Sequence, residues 1–183
     1  ISMQSQSTSF VNHEPLNARA VANQFLDWAD QEGVEISNMK LQKMLFFAHA
    51  DFTVETGRPL LSEAFQAWDY GPVIPQVYRS FSTTGSRSIK ARAKIFDPLT
   101  ATSKIAVLEV DFAGLNYLKS AFQFYCKIGA FTLSDLSHAE RGPWEKAREL
   151  FDAGLNPDRK IKNEVIARYH QPARSWYGRS LDR

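Results

Sequence analysis

The 183-residue sequence predicts a mainly α-helical (α+β) domain, in which several helices surround a buried central helix beside a small antiparallel β-sheet or hairpin. Three observations predict this fold. Apolar residues recur at helical spacing along most of the chain, residues 44–48 are apolar without interruption, and only two short stretches have the pattern of strands. The length suits one domain, and a charged content of 23% argues against intrinsic disorder.

The first two helices have clear boundaries in the sequence. Asn17 is the expected N-cap of the first helix, which Gly33 ends. Ser37 is the expected N-cap of the second helix, which runs to about Thr56 and is followed by Gly57. The middle of this second helix is apolar on nearly every side, and such helices are normally buried. We therefore expect it to form the centre of the domain.

A short strand is predicted between residues 60 and 70, where apolar and polar side chains alternate, with a helix as the alternative. Gly71 and Pro72 are expected to break this strand. Pro75 is well placed as the first residue of a short helix, because its missing N–H is not needed there.

A polar, basic segment and a second strand are predicted next. Residues 82–94 contain glycine and serine and predict a mobile loop. Residues 105–110 are rich in β-branched side chains and predict a strand, which could pair with the strand near Phe65.

Helical spacing returns in the C-terminal half of the chain. Thr132 is the expected N-cap of one short helix, Pro143 opens the next, Gly154 ends it, and Pro172 follows the last one. The predicted helices cover residues 115–126, 133–138, 143–150 and 163–169.

The chain divides into residues 1–16, read as a tag remnant with a flexible N-terminal segment, a domain over residues 17–171, and a C-terminal tail over residues 172–183. The polar N-terminal segment has no secretory signal pattern. Cys126 is the single cysteine, which excludes an internal disulfide. No apolar run is long enough to cross a membrane. Together these features predict a cytoplasmic protein without membrane contact.

The net charge of +2 hides two basic segments. One contains Arg87, Lys90, Arg92 and Lys94, which could contact phosphates or an acidic protein surface, the alternative being a plain solvated loop. The segment lacks aromatic residues for base stacking, which argues against single-strand binding.

The second basic segment is the tail, in which Trp176 and Tyr177 lie between Arg174 and Arg179. Tryptophan, tyrosine and arginine dominate the energetics of protein interfaces, so these residues are candidates for partner binding. The alternative is a tail that folds back onto its own domain.

The sequence offers no recognisable catalytic set. The four histidines are scattered, and His49 and Asp51 are two residues apart on a helix and so face different ways. His49 is expected to be a partly buried helix residue, and Cys126 a core thiol rather than a nucleophile paired with His138. No catalytic, cofactor-binding or metal-binding residue is predicted, and the chain is not expected to be an enzyme.

The order of several motifs resembles the Panacea domain, the family of SocA-like antitoxins that includes many phage-associated proteins. The resemblance covers about residues 18–169, although Ser137 stands where the family pattern has threonine, and residues 82–112 are outside the matching motifs. The matching motifs are VANQFL (21–26), SNMKLQKMLFFA (37–48), FQAWDYGPVIP (65–75), LSDLSH (133–138) and GPW (142–144).

This resemblance implies a cytoplasmic antitoxin that binds and neutralises a toxin protein, either by direct contact or as an adaptor that delivers the toxin to a protease. The partners implied are the cognate toxin and, for an adaptor, a protease or chaperone. The family pairs with unrelated toxins, so the resemblance does not name the toxin. The alternative function is a nucleic-acid-binding transcriptional regulator, favoured by the basic segment.

Two lysines and a set of motif residues complete the predicted sites. Lys40 and Lys43 lie on an otherwise apolar helix and are candidates for partner contact, with snorkelling to the surface or pairing with acids as the alternative. The family motif residues are expected to be structural: Trp68, Tyr70, Gly71, Pro72, His138, Pro143 and Trp144.

Overall fold

The structure is a computed structural model that describes residues 14–173, and it confirms the mainly helical class with small antiparallel sheets. The described residues form α1 (Ala18–Glu32), α2 (Asn38–Thr56), α3 (Pro75–Ser80), α4 (Phe112–Tyr125), α5 (Ala130–Ser137), α6 (Pro143–Asp152) and α7 (Asn163–Tyr169). The strands are β1 (Phe65–Trp68), β2 (Gly71–Val73), β3 (Lys94–Asp97), β4 (Thr102–Ile105) and β5 (Lys160–Ile161).

The first two helices begin and end where the sequence predicts. The side chain of Asn17 accepts a hydrogen bond from Ala20 N, and that of Ser37 accepts one from Lys40 N. Gly33 has a φ of 67° at the end of α1, a left-handed conformation that glycine adopts without steric cost.

Helix α2 is the buried centre of the domain, as predicted. Residues 41–53 are all buried, and α1, α3, α4, α5, α7 and β2 all pack against the helix. Such complete burial removes the polar residues of α2 from water, so each of them must find a partner inside the protein.

A three-stranded antiparallel sheet lies beside α2, with β1 between β2 and β5. The predicted strand near Phe65 is confirmed as β1. Gly71 and Pro72 were expected to break this strand. They instead belong to the next strand, β2, which pairs back onto β1 with Trp68 opposite Gly71. We call residues 65–73 the hairpin.

The strand predicted over residues 105–110 is wrong in its boundaries and in its partner. The observed strand β4 ends at Ile105 and pairs with β3, and residues 106–110 are irregular. Both edges of β1 are already taken by β2 and β5, which leaves no edge for a further strand.

A two-stranded arm, residues 94–105, is attached to α1 through the buried side chain of Asn23. Its Nδ2 donates to Ala93 O and Ala106 O, both at 2.9 Å, and its Oδ1 accepts from Ala93 N at 2.8 Å. The segment over residues 82–94 that precedes the arm is mostly irregular, but Ile89 within it is buried.

The C-terminal helices follow the predicted order. Helix α6 begins at Pro143, and α7 spans Asn163–Tyr169 as predicted. The predicted cap Thr132 is wrong: α5 begins at Ala130 with Gly129 as its N-cap residue, so Thr132 lies inside the helix. No helix within residues 14–173 is long and apolar enough to cross a membrane.

Buried polar side chains join α2 to α4 and α7. His49 Nε2 lies 2.9 Å from Asn163 Oδ1, and its Nδ1 accepts a hydrogen bond from Leu61 N. Asp51 accepts from Tyr125 at 2.5 Å and lies 2.7 Å from His170 Nε2. His49 is a helix residue as predicted, but it is fully rather than partly buried, and this burial lowers its pKa to about 4.

We predict that Asn23→Ala destabilises the domain by about 3 kcal/mol, because it leaves an N–H and two carbonyl groups without their side-chain partner. Urea denaturation measures this loss. Hydrogen exchange should show that residues 93–106 lose protection more than the helices do. Gln24→Ala is the matched control at the half-buried neighbouring position, and an equal loss for both variants would contradict the role of Asn23.

A second prediction concerns pH. The folded-state pKa of His49 lies below the ordinary value of 6.5, so the unfolded chain binds one more proton between about pH 6.5 and 4. This contribution to stability is complete above pH 6.5 and is lost as the pH falls to about 4. Wild type should therefore lose about 3 kcal/mol more than His49→Gln between pH 7 and 4, measured by urea denaturation. Above pH 7 the two stability profiles should run parallel, and parallel profiles over the whole range would contradict the prediction.

Candidate functional site

A cavity of about 480 Å³ opens between the start of α2, the hairpin, α3 and the start of α5. Most of its surface is apolar. We call it the aromatic-rimmed cavity. Its lining residues are Ser37, Asn38, Met39, Gln42, Lys43, Trp68, Tyr70, Val73, Tyr78, Gly85, Ser86, Ala130 and Phe131.

A network of amide side chains holds α2 against the segment that leads into α3. Asn38 Nδ2 donates to Tyr78 O at 3.1 Å, and Gln42 Nε2 donates to Asn38 Oδ1 at 3.0 Å. Gln42 Oε1 accepts from Ile74 N at 3.0 Å. Because these amides have partners inside the protein, the polar part of the cavity surface is fixed in place.

Lys43 is the charged residue of the cavity lining. Lys43 is only 1% exposed, and its Nζ donates to Pro72 O at 3.1 Å. Burial lowers the pKa of Lys43 to about 8, because the charged ammonium is separated from water. Among the described residues that line the cavity, none is acidic.

Exposed aromatic side chains form the rim. Tyr70 is 73% exposed and Phe131 is 82% exposed, although both are large and apolar. Two further lining residues, Trp68 and Tyr78, pack their rings edge to face with centroids 5.1 Å apart. Apolar side chains this exposed beside a cavity are typical of surfaces that bind a partner.

The hairpin is supported by motif residues that are far apart in the sequence. Trp144 Nε1 donates to Trp68 O at 2.8 Å, and the ring of His138 packs 4.1 Å from that of Trp144. His138 Nε2 lies 3.2 Å from Asp69 O, and Arg148 pairs with the Asp69 carboxylate at 2.8 Å. The motifs around residues 68, 138 and 144 therefore meet at one turn.

Gly71 lies where the hairpin approaches α2 and α5 most closely. Its φ is 106°, a conformation that side chains disfavour. A Cβ atom added there would lie 2.6 Å from Lys43 Cε and 2.6 Å from Ser137 Oγ. Only glycine allows the turn to close over Lys43.

The other predicted site residues lie elsewhere. Lys40 is half-buried and its Nζ donates to Cys126 O at 2.6 Å, which joins α2 to the end of α4. Arg92 pairs with Asp27 and Asp30 of α1 at 2.8 and 2.6 Å. This guanidinium therefore holds the segment before the arm against α1.

The remaining members of the basic segment are exposed. Arg87, Lys90 and Lys94 are exposed and are not part of the cavity lining, although Arg87 directly follows the lining residue Ser86. The predicted contact residues of the tail lie outside the described residues: Arg174, Trp176, Tyr177 and Arg179. The structure brings Lys43 and the hairpin motif together at the cavity, and none of the predicted contact residues of the basic segment belongs to its lining.

Sequence reasoning missed several residues of the cavity, notably Asn38, Gln42, Tyr78 and Phe131. Asn38 and Gln42 stood inside a quoted motif, and their i,i+4 spacing was the available signal. Phe131 had no signal, because its exposure depends on where α5 begins. Within residues 14–173, no group of three or more His, Cys, Asp or Glu side chains could hold a metal ion.

Comparison with known proteins gives two matches. The family model described as "Antitoxin SocA-like, Panacea domain" matches residues 41–145. The chain is 40% identical over 153 residues to the protein named Antitoxin SocA of Caulobacter vibrioides (strain NA1000 / CB15N), an alignment that covers 84% of this chain and 81% of that protein. No solved structure matches the chain. Both matches agree with the resemblance inferred from the motifs.

We predict that Gly71→Ala destabilises the domain by at least about 3 kcal/mol, because backbone strain adds to the overlap with Lys43 and Ser137. Gly57→Ala is the matched control: Gly57 also has a positive φ, of 70°, but an added Cβ would meet nothing within 4 Å. That variant should lose only about 1 kcal/mol. Thermal and urea denaturation measure both losses, and equal losses would contradict the close approach described for Gly71.

Proposed function

Since this chain belongs to the family of SocA-like antitoxins that share the Panacea domain, we propose that it binds a cognate toxin protein in the cytoplasm and neutralises it. The observation that carries this proposal is the 40% identity to an antitoxin over 84% of the chain. Family membership supports the antitoxin role in general. The toxin, the surface that binds it and the mode of neutralisation are parts of our proposal.

We propose that the toxin docks on the aromatic-rimmed cavity. Interfaces obtain most of their binding energy from a few large side chains that enter well-packed pockets. The cavity offers such a pocket, with Trp68 and Tyr78 in its lining and the more exposed rings of Tyr70 and Phe131 beside them. Its volume of about 480 Å³ is enough for one or two large side chains of a partner.

The proposed mode of action is binding rather than catalysis. Cys126 is buried, and burial raises the pKa of its thiol, which keeps the reactive thiolate form scarce. The buried histidines are engaged in structural contacts, His49 with Asn163 and His170 with Asp51.

The nucleic-acid alternative receives less support from the basic segment than its composition indicates. Arg92 is neutralised by Asp27 and Asp30, which leaves Arg87, Lys90 and Lys94 as the exposed cations of this segment. Three phosphate contacts give only a weak, salt-sensitive interaction with DNA.

The antitoxin role is tested with the product of the adjacent gene. Expressed alone it should stop bacterial growth, and co-expression with this chain should restore growth. An adjacent product that is harmless alone, and that this chain does not bind, would contradict the proposal.

The docking surface is tested with Phe131→Asp. We expect this variant to fold as wild type, because the side chain is exposed, but to lose protection and to bind the toxin at least about 30-fold more weakly. Growth assays and calorimetric titration measure these effects. Leu99→Asp is the matched control, since Leu99 is 95% exposed on the arm and outside the cavity lining.

Full protection by Phe131→Asp would contradict docking of the toxin at the cavity. In that case the exposed basic residues Arg87, Lys90 and Lys94 are the next surface, and reversing their three charges should abolish protection.

Direct inhibition and adaptor-mediated degradation give different results for the lifetime of the toxin. An adaptor shortens the half-life of a co-expressed, catalytically inactive toxin variant, and protease-deficient cells restore it. A direct inhibitor leaves the half-life unchanged or lengthens it. Pulse-chase labelling distinguishes the two modes.

A further inference from the structure

We propose that the aromatic-rimmed cavity recognises a carboxylate group of the toxin, carried by an acidic side chain beside an apolar one, with Lys43 as its counter-ion. This inference rests on the proposed antitoxin function and adds the chemistry of recognition. It follows from the burial of Lys43, the absence of an acid from the described lining, and the position of the cavity at the start of α2.

The burial of Lys43 is the first argument. An ammonium group removed from water is costly unless an anion and further hydrogen bonds compensate it. Lys43 is 1% exposed, and within the described residues its Nζ has one acceptor, the neutral carbonyl oxygen of Pro72. An ammonium group has three N–H donors. No acid of the described residues compensates this charge, and Lys43 belongs to the cavity lining, so we take a ligand in the cavity as the source of the counter-charge.

Three half-buried cations of the domain differ from Lys43 in having compensation. Arg92 pairs with two aspartates of α1. Lys40 donates to a carbonyl at the end of α4, where the helix dipole is negative. Arg148 takes the carboxylate of Asp69, the acid of the hairpin turn. The hairpin thus brings no free carboxylate to Lys43, and desolvation is what lowers the pKa of its ammonium group.

The position of the cavity provides a second argument. Ser37 and Asn38, at the N-terminal end of α2, line the same cavity as Lys43. The N-terminal end of a helix carries partial positive charge, which for the 19-residue helix α2 adds to the charge of Lys43. Helix end and ammonium therefore favour the same ligand charge, and an anion is the complementary occupant.

The walls of the cavity determine what accompanies the carboxylate. Trp68, Val73 and Tyr78 present apolar surface, and Phe131 extends it at the rim. An isolated anion would leave this surface exposed to water, whereas an apolar group beside the carboxylate would cover it. The chemistry that fits is an aspartate or glutamate next to a large apolar residue in a segment of the toxin.

The test uses a small probe and the full chain, so it does not require the toxin. The probe is 3-phenylpropionate, which carries a carboxylate and an aromatic ring, and its neutral match is 3-phenylpropionamide. We expect chemical-shift titration to show the carboxylate binding at least about tenfold more tightly than the amide, with shifts at the residues around the cavity.

Lys43→Met should remove this preference while the fold is kept, because methionine retains the apolar stem at a buried position. Thermal unfolding checks the fold. Lys40→Met is the matched control: it removes a neighbouring ammonium on the same helix that contacts Cys126 O instead of the cavity, and the preference should persist.

Equal affinity for acid and amide in the wild-type protein would overturn the inference, as would a preference that survives in Lys43→Met. Asp182 is an acid of the C-terminal tail. If Asp182→Asn raises the affinity for the probe more than about tenfold, the occupant of the cavity is this chain's own tail, and the inference is also overturned. If Phe131→Asp abolishes protection but the probe shows no preference, only this inference fails. If the preference is present but Phe131→Asp protects fully, the proposed docking of the toxin fails.

Discussion

The complete burial of residues 41–53, the middle of α2, is the constraint on which the rest of the structure depends. A helix enclosed on all sides must satisfy its polar side chains within the protein, because unpaired polar groups away from water are costly. Several buried polar side chains of α2 therefore bind neighbouring elements. Gln42 holds the strand end before α3, His49 reaches α7, and Asp51 accepts from Tyr125 of α4.

The same constraint produces the candidate site. Lys43 is the polar residue of α2 whose compensation inside the domain is least complete, since its acceptor is the neutral carbonyl of Pro72. The hairpin closes over this ammonium because Gly71 allows the approach, and Trp144 and His138 hold the hairpin from the other side. The motif residues of the hairpin and an ammonium group without an acidic partner thus occur at one place, because both lie against the buried helix α2.

Local signals in the sequence predicted the helices well and the strands less well. Asn17, Ser37 and Pro143 mark helix starts through interactions with their own neighbouring residues, and the structure confirms all three. The β-branched run over residues 105–110 misled the strand prediction, because pairing depends on which edges of β1 remain free. Thr132 failed as a cap because α5 begins three residues earlier than predicted, at Ala130.

The sequence by itself determined the class of fold, the buried central helix, the capped helix boundaries and the family, since all of these depend on the residue pattern along the chain. Only the tertiary structure decided that Arg92 is neutralised by α1, that Lys43 is buried while Phe131 is exposed, and that the hairpin closes a cavity. The physical reason is that burial and ion pairing arise between segments far apart in the chain. Lys43 and Pro72 are 29 positions apart, and no local pattern records their contact.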